Sequence, residues 1–159
     1  MASPPAAEGR RLARPARRLV VLEEDAVQAR RVETIAREQG FEVTRVADGD
    51  EFRALALDDI HAVIIDLMVS RVDGVELMRD LAEKGFDGSV ILSSDADRRI
   101  LSAAERLARA RCLRVAGSLQ KPLNEFALRR LLDRTVSRPG AASRALNIQV
   151  AQTELLQCM

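Results

Sequence analysis

One carboxylate in this chain, that of Asp66, has a position that a chemical role explains better than packing does. Asp66 directly follows the apolar run 62–65, Ala-Val-Ile-Ile. A run rich in β-branched residues is typical of a strand that is buried on both faces of a parallel sheet. In open parallel sheets, ligands bind beyond the carboxyl ends of the strands. The position of Asp66 therefore predicts a reactive or ligand-binding carboxylate.

Other polar groups also follow strand-like runs of the sequence. Because the carboxyl ends of parallel strands lie at one edge of a sheet, we expect these groups to lie near Asp66. They are Glu23, Glu24 and Asp25 after residues 19–22, Ser93 and Ser94 after residues 90–92, and Lys121 and Pro122 after residues 113–119.

The elements that would position these groups alternate along the chain. Strand-like runs occupy residues 19–22, 41–46, 61–65, 90–92 and 113–119, and helix-like segments occupy 25–39, 48–57, 75–85, 96–111 and 123–135. Gly40 and Gly85 stand where glycines commonly end helices. The polar–apolar alternation in 41–46 favours a strand near an edge. Five strand–helix units predict an α/β fold, an open five-stranded parallel sheet with helices on both faces.

Composition limits the class of protein. The chain has 159 residues, 47% of them hydrophobic and 31% charged, with a net charge of +1. This predicts one globular domain and gives no argument for a nucleic-acid or membrane partner. No apolar stretch approaches the roughly 20 residues of a membrane span, and no secretory h-region is present, so we expect a cytoplasmic protein. We expect a flexible arm at 1–17, the domain at 18–135, and a linker with a short tail, helical or not, at 136–159.

The order and spacing of these groups resemble the receiver domain of two-component response regulators. The resemblance covers about residues 18–135 and is carried by Glu23-Glu24, the segment from Asp66 to Asp73-Gly74, the serine after 90–92, and Lys121-Pro122. It implies the (βα)5 flavodoxin-like fold and a phosphoacceptor signalling domain rather than an enzyme. It also implies a histidine kinase as phosphodonor. The output would be changed protein contacts or dimerisation through the face formed by helix 4, strand 5 and helix 5.

The resemblance also implies a Mg²⁺ (or Mn²⁺) site. Glu24, Asp66 and the main-chain carbonyl of Met68 would bind the ion, and Glu23 would act partly through water. Mg²⁺ prefers oxygen ligands and keeps several waters, so one or two carboxylates with a phosphate suffice. A cation is needed because a carboxylate is a poor nucleophile toward an anionic phosphoryl donor.

Three further residues take roles by the same resemblance. Asp66 would accept the phosphoryl group, the hydroxyl of Ser94 would bond a phosphoryl oxygen, and Lys121 would pair with the phosphoryl charge. The bond from Lys121 to Pro122 would be cis, as is usual in the family.

Each group also has a plainer structural interpretation. The carboxylates of 23–25 could favour the dipole of the following helix. Ser94 could be a helix N-cap, a role that Asp95 or Asp97 would fill equally well. Residues 121–122 could form an ordinary turn with proline early in a helix.

Three departures from the family pattern bear on mechanism. Glu24 is one methylene longer than the usual aspartate, and Ser118 replaces the usual aromatic residue in a chain without Tyr or Trp. The segment from Ser94 to Lys121 is longer than is common. In this it resembles receivers of response regulators that carry an EAL-type cyclic-di-GMP phosphodiesterase, although no EAL motif is present here. We therefore expect a role in cyclic-di-GMP signalling, exerted through a homodimer or an effector.

Two other classes of function compete with a phosphorylated receiver. Glu24 and Ser118 would also suit a degenerate, phosphorylation-independent interaction domain. A flavodoxin-like enzyme or nucleotide binder is disfavoured because no Gly-rich phosphate loop follows the first strand. Direct DNA binding is disfavoured because the tail is too short for a helix-turn-helix domain.

Overall fold

The computed structural model describes residues 16–70 and 73–135, in which five strands alternate with five helices. The strands are β1 (Arg17–Leu22), β2 (Phe41–Val46), β3 (Ala62–Asp66), β4 (Ser89–Ser94) and β5 (Arg114–Gln120). The helices are α1 (Ala26–Glu38), α2 (Gly49–Arg53), α3 (Gly74–Glu83), α4 (Arg98–Ala110) and α5 (Glu125–Arg134). The predicted (βα)5 fold class is confirmed. Within the described ranges, no helix is both long and apolar enough to cross a membrane.

All strands pair in parallel, in the order β2-β1-β3-β4-β5. β2 lies at an edge, as its polar–apolar alternation predicted. β3 is the central strand, flanked by β1 and β4, and Asp66 is its last residue. This topology puts Asp66 in the middle of the carboxyl edge, where neighbouring strands can surround it with their own terminal residues.

The sheet is covered on both faces by two separate apolar clusters. Val20 and Leu22 belong to the cluster that contains Leu77 of α3, while Leu19 and Val21 belong to the other. The second cluster receives α1 and α5 through Val32, Ile35, Leu128, Leu131 and Leu132. Successive strand residues alternate between the faces. Because both faces are buried, the central strands are apolar without interruption.

A side-chain cap begins each helix. The carboxylate or amide oxygen of the cap accepts a hydrogen bond from a backbone N–H of the first turn, which is otherwise without an intrahelical partner. The capping residues are Asp25, Asp48, Asp73, Asp97 and Asn124. Asp73, directly before Gly74, is thus the cap of α3.

β5 contains an irregularity opposite β4. Val90 pairs with Val115, whereas the next residue, Ile91, pairs with Gly117, so one residue of β5 is left over. Gly117 has φ +155°, and a Cβ there would lie 2.6 Å from Cδ2 of Leu131. Both the backbone conformation and the close approach of α5 require glycine at this bulge.

Several predicted boundaries differ from the observed ones. α2 ends at Arg53 rather than near Leu57, and β1 begins at Arg17, which was expected to close the flexible arm. The predictions for the rest of that arm and for the tail concern residues 1–15 and 136–159, outside the described residues.

Candidate functional site

Four of the predicted site residues stand at the ends of neighbouring strands. Glu23 follows β1, Asp66 ends β3, Ser94 ends β4 and Lys121 follows β5. The first three are buried, with exposed fractions of 8%, 5% and 0%. Buried polar groups must be paired to avoid a desolvation cost. The partners of these groups therefore define the site.

Lys121 joins two buried carboxylates. Its Nζ lies 2.6 Å from Oε2 of Glu23 and 2.9 Å from Oδ2 of Asp66. Burial raises the pKa of Glu23, an effect only partly offset by hydrogen bonds from Lys121 and from the Asp25 backbone. Burial lowers the pKa of Lys121, but its hydrogen bonds to the two carboxylates outweigh this and leave the pKa raised. The lysine is held as an ammonium ion between two acidic groups.

The backbone around Lys121 fixes its position. Its N–H donates to the carbonyl oxygen of Ser94 at 2.8 Å, which ties the end of β5 to the end of β4. The Lys121-Pro122 bond is cis, as predicted. Pro122 precedes the cap Asn124 of α5 and so is not an early helical residue.

The carboxylate of Asp66 is oriented by two donors. Oδ1 accepts from the N–H of Met68 at 2.9 Å, and Oδ2 accepts from Lys121. The N–H of Leu67 donates to the carbonyl oxygen of Ser93 at 2.9 Å, which continues the β3–β4 pairing up to the site. The Met68 main chain therefore lies at the carboxylate, while the metal-binding role of its carbonyl stays a prediction.

Ser94 is fully buried, and its Oγ accepts from the N–H of Ala96 at 3.0 Å. The N-cap of α4 is Asp97, so the capping interpretation of Ser94 is wrong. Accepting one bond leaves the hydroxyl proton of Ser94 free to serve another acceptor. Its role as a phosphoryl contact stays a prediction.

Glu24 does not join the Lys121 cluster. Its Oε2 accepts from the N–H of Ser70 at 3.1 Å and from the Ser70 hydroxyl at 2.8 Å. No residue pattern predicted this contact, because Ser70 lies in the β3–α3 loop, whose path the sequence does not determine. Of the carboxylates of 23–25, only that of Asp25 caps α1 and so favours the dipole of that helix, whereas Glu23 and Glu24 bond Lys121 and Ser70.

The donor set of the cluster suits a hard cation, although the cluster is incomplete as a metal site. Glu23 and Asp66 supply carboxylate oxygens, and one ammonium ion leaves one of their two negative charges unbalanced. Such oxygen donors are those that Mg²⁺ prefers. Yet among the described residues no three His, Cys, Asp or Glu side chains converge to hold a metal. Glu24, which was predicted to bind the ion, is bonded to Ser70 instead, and its metal-binding role stays a prediction.

Comparisons with known proteins agree with this geometry. The sequence model of the response regulator receiver domain matches residues 19–133. The regulatory protein VirG of Agrobacterium fabrum is 32% identical over 80 residues, 50% of this chain and 32% of VirG. The chain thus spans about a third of the length of that relative.

Solved structures share the fold. A response regulator from Colwellia psychrerythraea is 32% identical with a TM-score of 0.66, and the match covers 74% of this chain and 94% of the Colwellia chain. A response regulator from Burkholderia pseudomallei was solved with a phosphorylated aspartic acid, a calcium ion and citrate. It is 18% identical with a TM-score of 0.61, and the match covers 86% of this chain and 74% of the Burkholderia chain. At 18% identity the likeness shows the fold alone.

The family match extends over most of the chain, and the first of these structures covers nearly three quarters of it at 32% identity. The chain therefore belongs to the response regulator receiver domain family.

Proposed function

We propose that this chain is a phosphorylation-dependent signalling domain in which Asp66 accepts a phosphoryl group from a histidine kinase, with Mg²⁺ or Mn²⁺ bound. The observation that carries the proposal is the buried carboxylate of Asp66 at the end of the central strand, with the ammonium of Lys121 at 2.9 Å. A buried carboxylate beside a fixed cation suits a transfer that depends on positioning and charge stabilisation. Family membership supports the same role.

In the proposed transfer, an oxygen of Asp66 attacks the phosphorus as the bond from phosphorus to the kinase histidine nitrogen breaks. The Met68 N–H orients the carboxylate through its other oxygen. Lys121 moves from pairing with the carboxylate to pairing with a phosphoryl oxygen. Its second bond, to Glu23, keeps the ammonium in the site during this exchange.

The metal would be held by Glu23, Asp66, the Met68 carbonyl and Glu24. The unbalanced negative charge of the Lys121 cluster supports this assignment, because a divalent ion would neutralise it. When bound, the ion lowers the charge repulsion between the carboxylate and the phosphodonor. Glu24 would have to leave Ser70 to join the other ligands.

The proposed output is a change in protein contacts at the face of α4, β5 and α5. Ser94 and Lys121 are bonded to each other through the backbone, so a phosphoryl group that draws in the Ser94 hydroxyl would also act on the end of β5. Such a switch shifts populations between two conformations. The long segment between these residues supports a homodimer or effector in cytoplasmic cyclic-di-GMP signalling as its target.

Intact-mass measurement after incubation with acetyl phosphate and MgCl₂ tests the proposal. We expect the wild type to gain one phosphoryl group, and neither Asp66→Asn nor the wild type in EDTA to gain it. Asp73→Asn is the matched control: it changes an aspartate in the same region, and asparagine still caps α3. If the wild type gained no mass that Asp66→Asn lacks, the phosphorylation-independent interaction domain would be the better description.

A further inference from the structure

The contact between Glu24 and Ser70 joins the β1–α1 loop to the β3–α3 loop. Both donors of Ser70 bond the same carboxylate oxygen, at 2.8 Å from the hydroxyl and 3.1 Å from the N–H. Hydrogen bonds to an ionised acceptor are stronger than those between neutral groups. Glu24 is otherwise exposed, so this double contact, rather than packing, determines where its carboxylate lies.

The contact holds Glu24 apart from the other acidic groups of the site. Glu23 and Asp66 meet at the ammonium of Lys121, at 2.6 Å and 2.9 Å, and Glu24 is not part of that group. Among the described residues, no third carboxylate completes a metal-binding set. A glutamate side chain has three rotatable bonds, so its carboxylate can occupy different positions from the same backbone position.

We infer that Ser70 is a positioning residue that withholds Glu24 from the metal position, so that the Glu24–Ser70 contact and cation binding exclude one another. This inference rests on the proposed function, since it concerns the same site. Part of the free energy of metal binding is spent on breaking the contact. Ser70 thus lowers the affinity of the domain for Mg²⁺ and stabilises its metal-free form.

Replacement of the hydroxyl by Ser70→Ala leaves the backbone N–H in place and removes the shorter of the two bonds. A hydrogen bond to a charged group has a net value that corresponds to about tenfold in an equilibrium constant. Because Glu24 is exposed and water can replace the hydroxyl, we expect Mg²⁺ binding to become about three- to tenfold tighter.

Isothermal titration calorimetry with MgCl₂ measures this directly on the full chain. The variants are Ser70→Ala, Glu24→Gln, their double mutant, and Ser102→Ala as a control, because Ser102 is an exposed serine on α4 away from the site. We expect tighter binding for Ser70→Ala, no change for Ser102→Ala, and no further effect of Ser70→Ala once Glu24 is replaced.

Thermal unfolding supplies a second readout that does not need phosphorylation. In EDTA, Ser70→Ala should melt below the wild type, and at saturating MgCl₂ the gap should close because the wild type has also lost the contact. Equal or weaker Mg²⁺ binding by Ser70→Ala, or a gap that Mg²⁺ leaves unchanged, would overturn the inference alone if the wild type still takes up a phosphoryl group on Asp66. A wild type that neither binds Mg²⁺ nor gains a phosphoryl group would overturn the proposed function, and the inference with it.

Discussion

Replacement of Lys121 by methionine should strongly destabilise the metal-free protein. Methionine keeps the apolar stem but removes the ammonium, leaving the carboxylates of Glu23 and Asp66 without it. Both side chains are only 7% exposed, so water cannot readily take its place. Removal of one partner of a buried ion pair lowers the free energy of unfolding by about 3–5 kcal/mol. Because the Lys121 side chain is itself 20% exposed, we expect the lower end, about 3 kcal/mol.

The assay is urea unfolding in EDTA followed by far-UV circular dichroism, because the chain has no Trp or Tyr to report by fluorescence. Arg53→Met is the matched control. Arg53 also bridges two carboxylates, at 2.7 Å to Asp80 and 3.6 Å to Glu76, but on the surface. Exposed ion pairs contribute little, so this control should lose far less stability.

A further variant separates charge burial from lost packing. Asp66→Asn in the Lys121→Met background removes one of the unpaired negative charges and should recover part of the lost stability. If Lys121→Met and Arg53→Met lost equal stability, or if Asp66→Asn recovered none, burial of the two carboxylates would not determine the cost, and the reasoning would be refuted.

Core and backbone substitutions give predictions that urea midpoints can check. Gly88→Ala should destabilise more than Gly85→Ala, because its Cβ would clash with the ring of Phe86 and would lie 2.7 Å from the carbonyl oxygen of His61. At Gly85 nothing lies within 4 Å, so only the positive φ opposes alanine, at about 1 kcal/mol; equal midpoints would contradict this. Leu77→Ala should cost roughly 3 kcal/mol, since Leu77 is fully buried and leaves a cavity. A loss of stability below about 1 kcal/mol would mean that the core collapses to fill this cavity.

The fold was predictable because local patterns and tertiary burial agree in this chain. Apolar runs such as 62–65 are central strands covered on both faces, and glycines with positive φ end α1 and α3 at Gly40 and Gly85. The error at α2 has a physical cause. The helix was predicted to run to residue 57, yet Leu55 and Leu57 pack against the core from a segment beyond the helix end.

The start of β1 depends on contacts that sequence proximity does not reveal. Arg17 donates to the carbonyl oxygen of Gln39 at 2.9 Å, and its guanidinium lies 4.6 Å from the ring centre of Phe41. These partners are distant in sequence, so the sequence pattern alone assigned Arg17 to the flexible arm at 1–17.

The candidate site was predictable where it depends on strand ends and not where it depends on loops. Glu23, Asp66 and Lys121 meet because parallel strands bring their carboxyl ends together. Ser70 escaped prediction because its bond to Glu24 depends on the course of two loops. That Glu24 bonds Ser70 instead of joining the Lys121 cluster is visible only in the folded chain.

The bulge in β5 changes which face of the sheet the following side chains occupy. Val115 packs with the cluster of α3 and α4, whereas Leu119, four residues later, packs with the cluster of α1 and α5. In a regular strand, residues four apart share a face, so the leftover residue, Ala116, accounts for the reversal. Deletion of Ala116 would restore a regular strand in which both side chains keep their faces. Because the bulge lies before residue 117, the pairing with β4 is regular from there to Gln120, and the ammonium of Lys121, the next residue, lies 2.9 Å from Asp66.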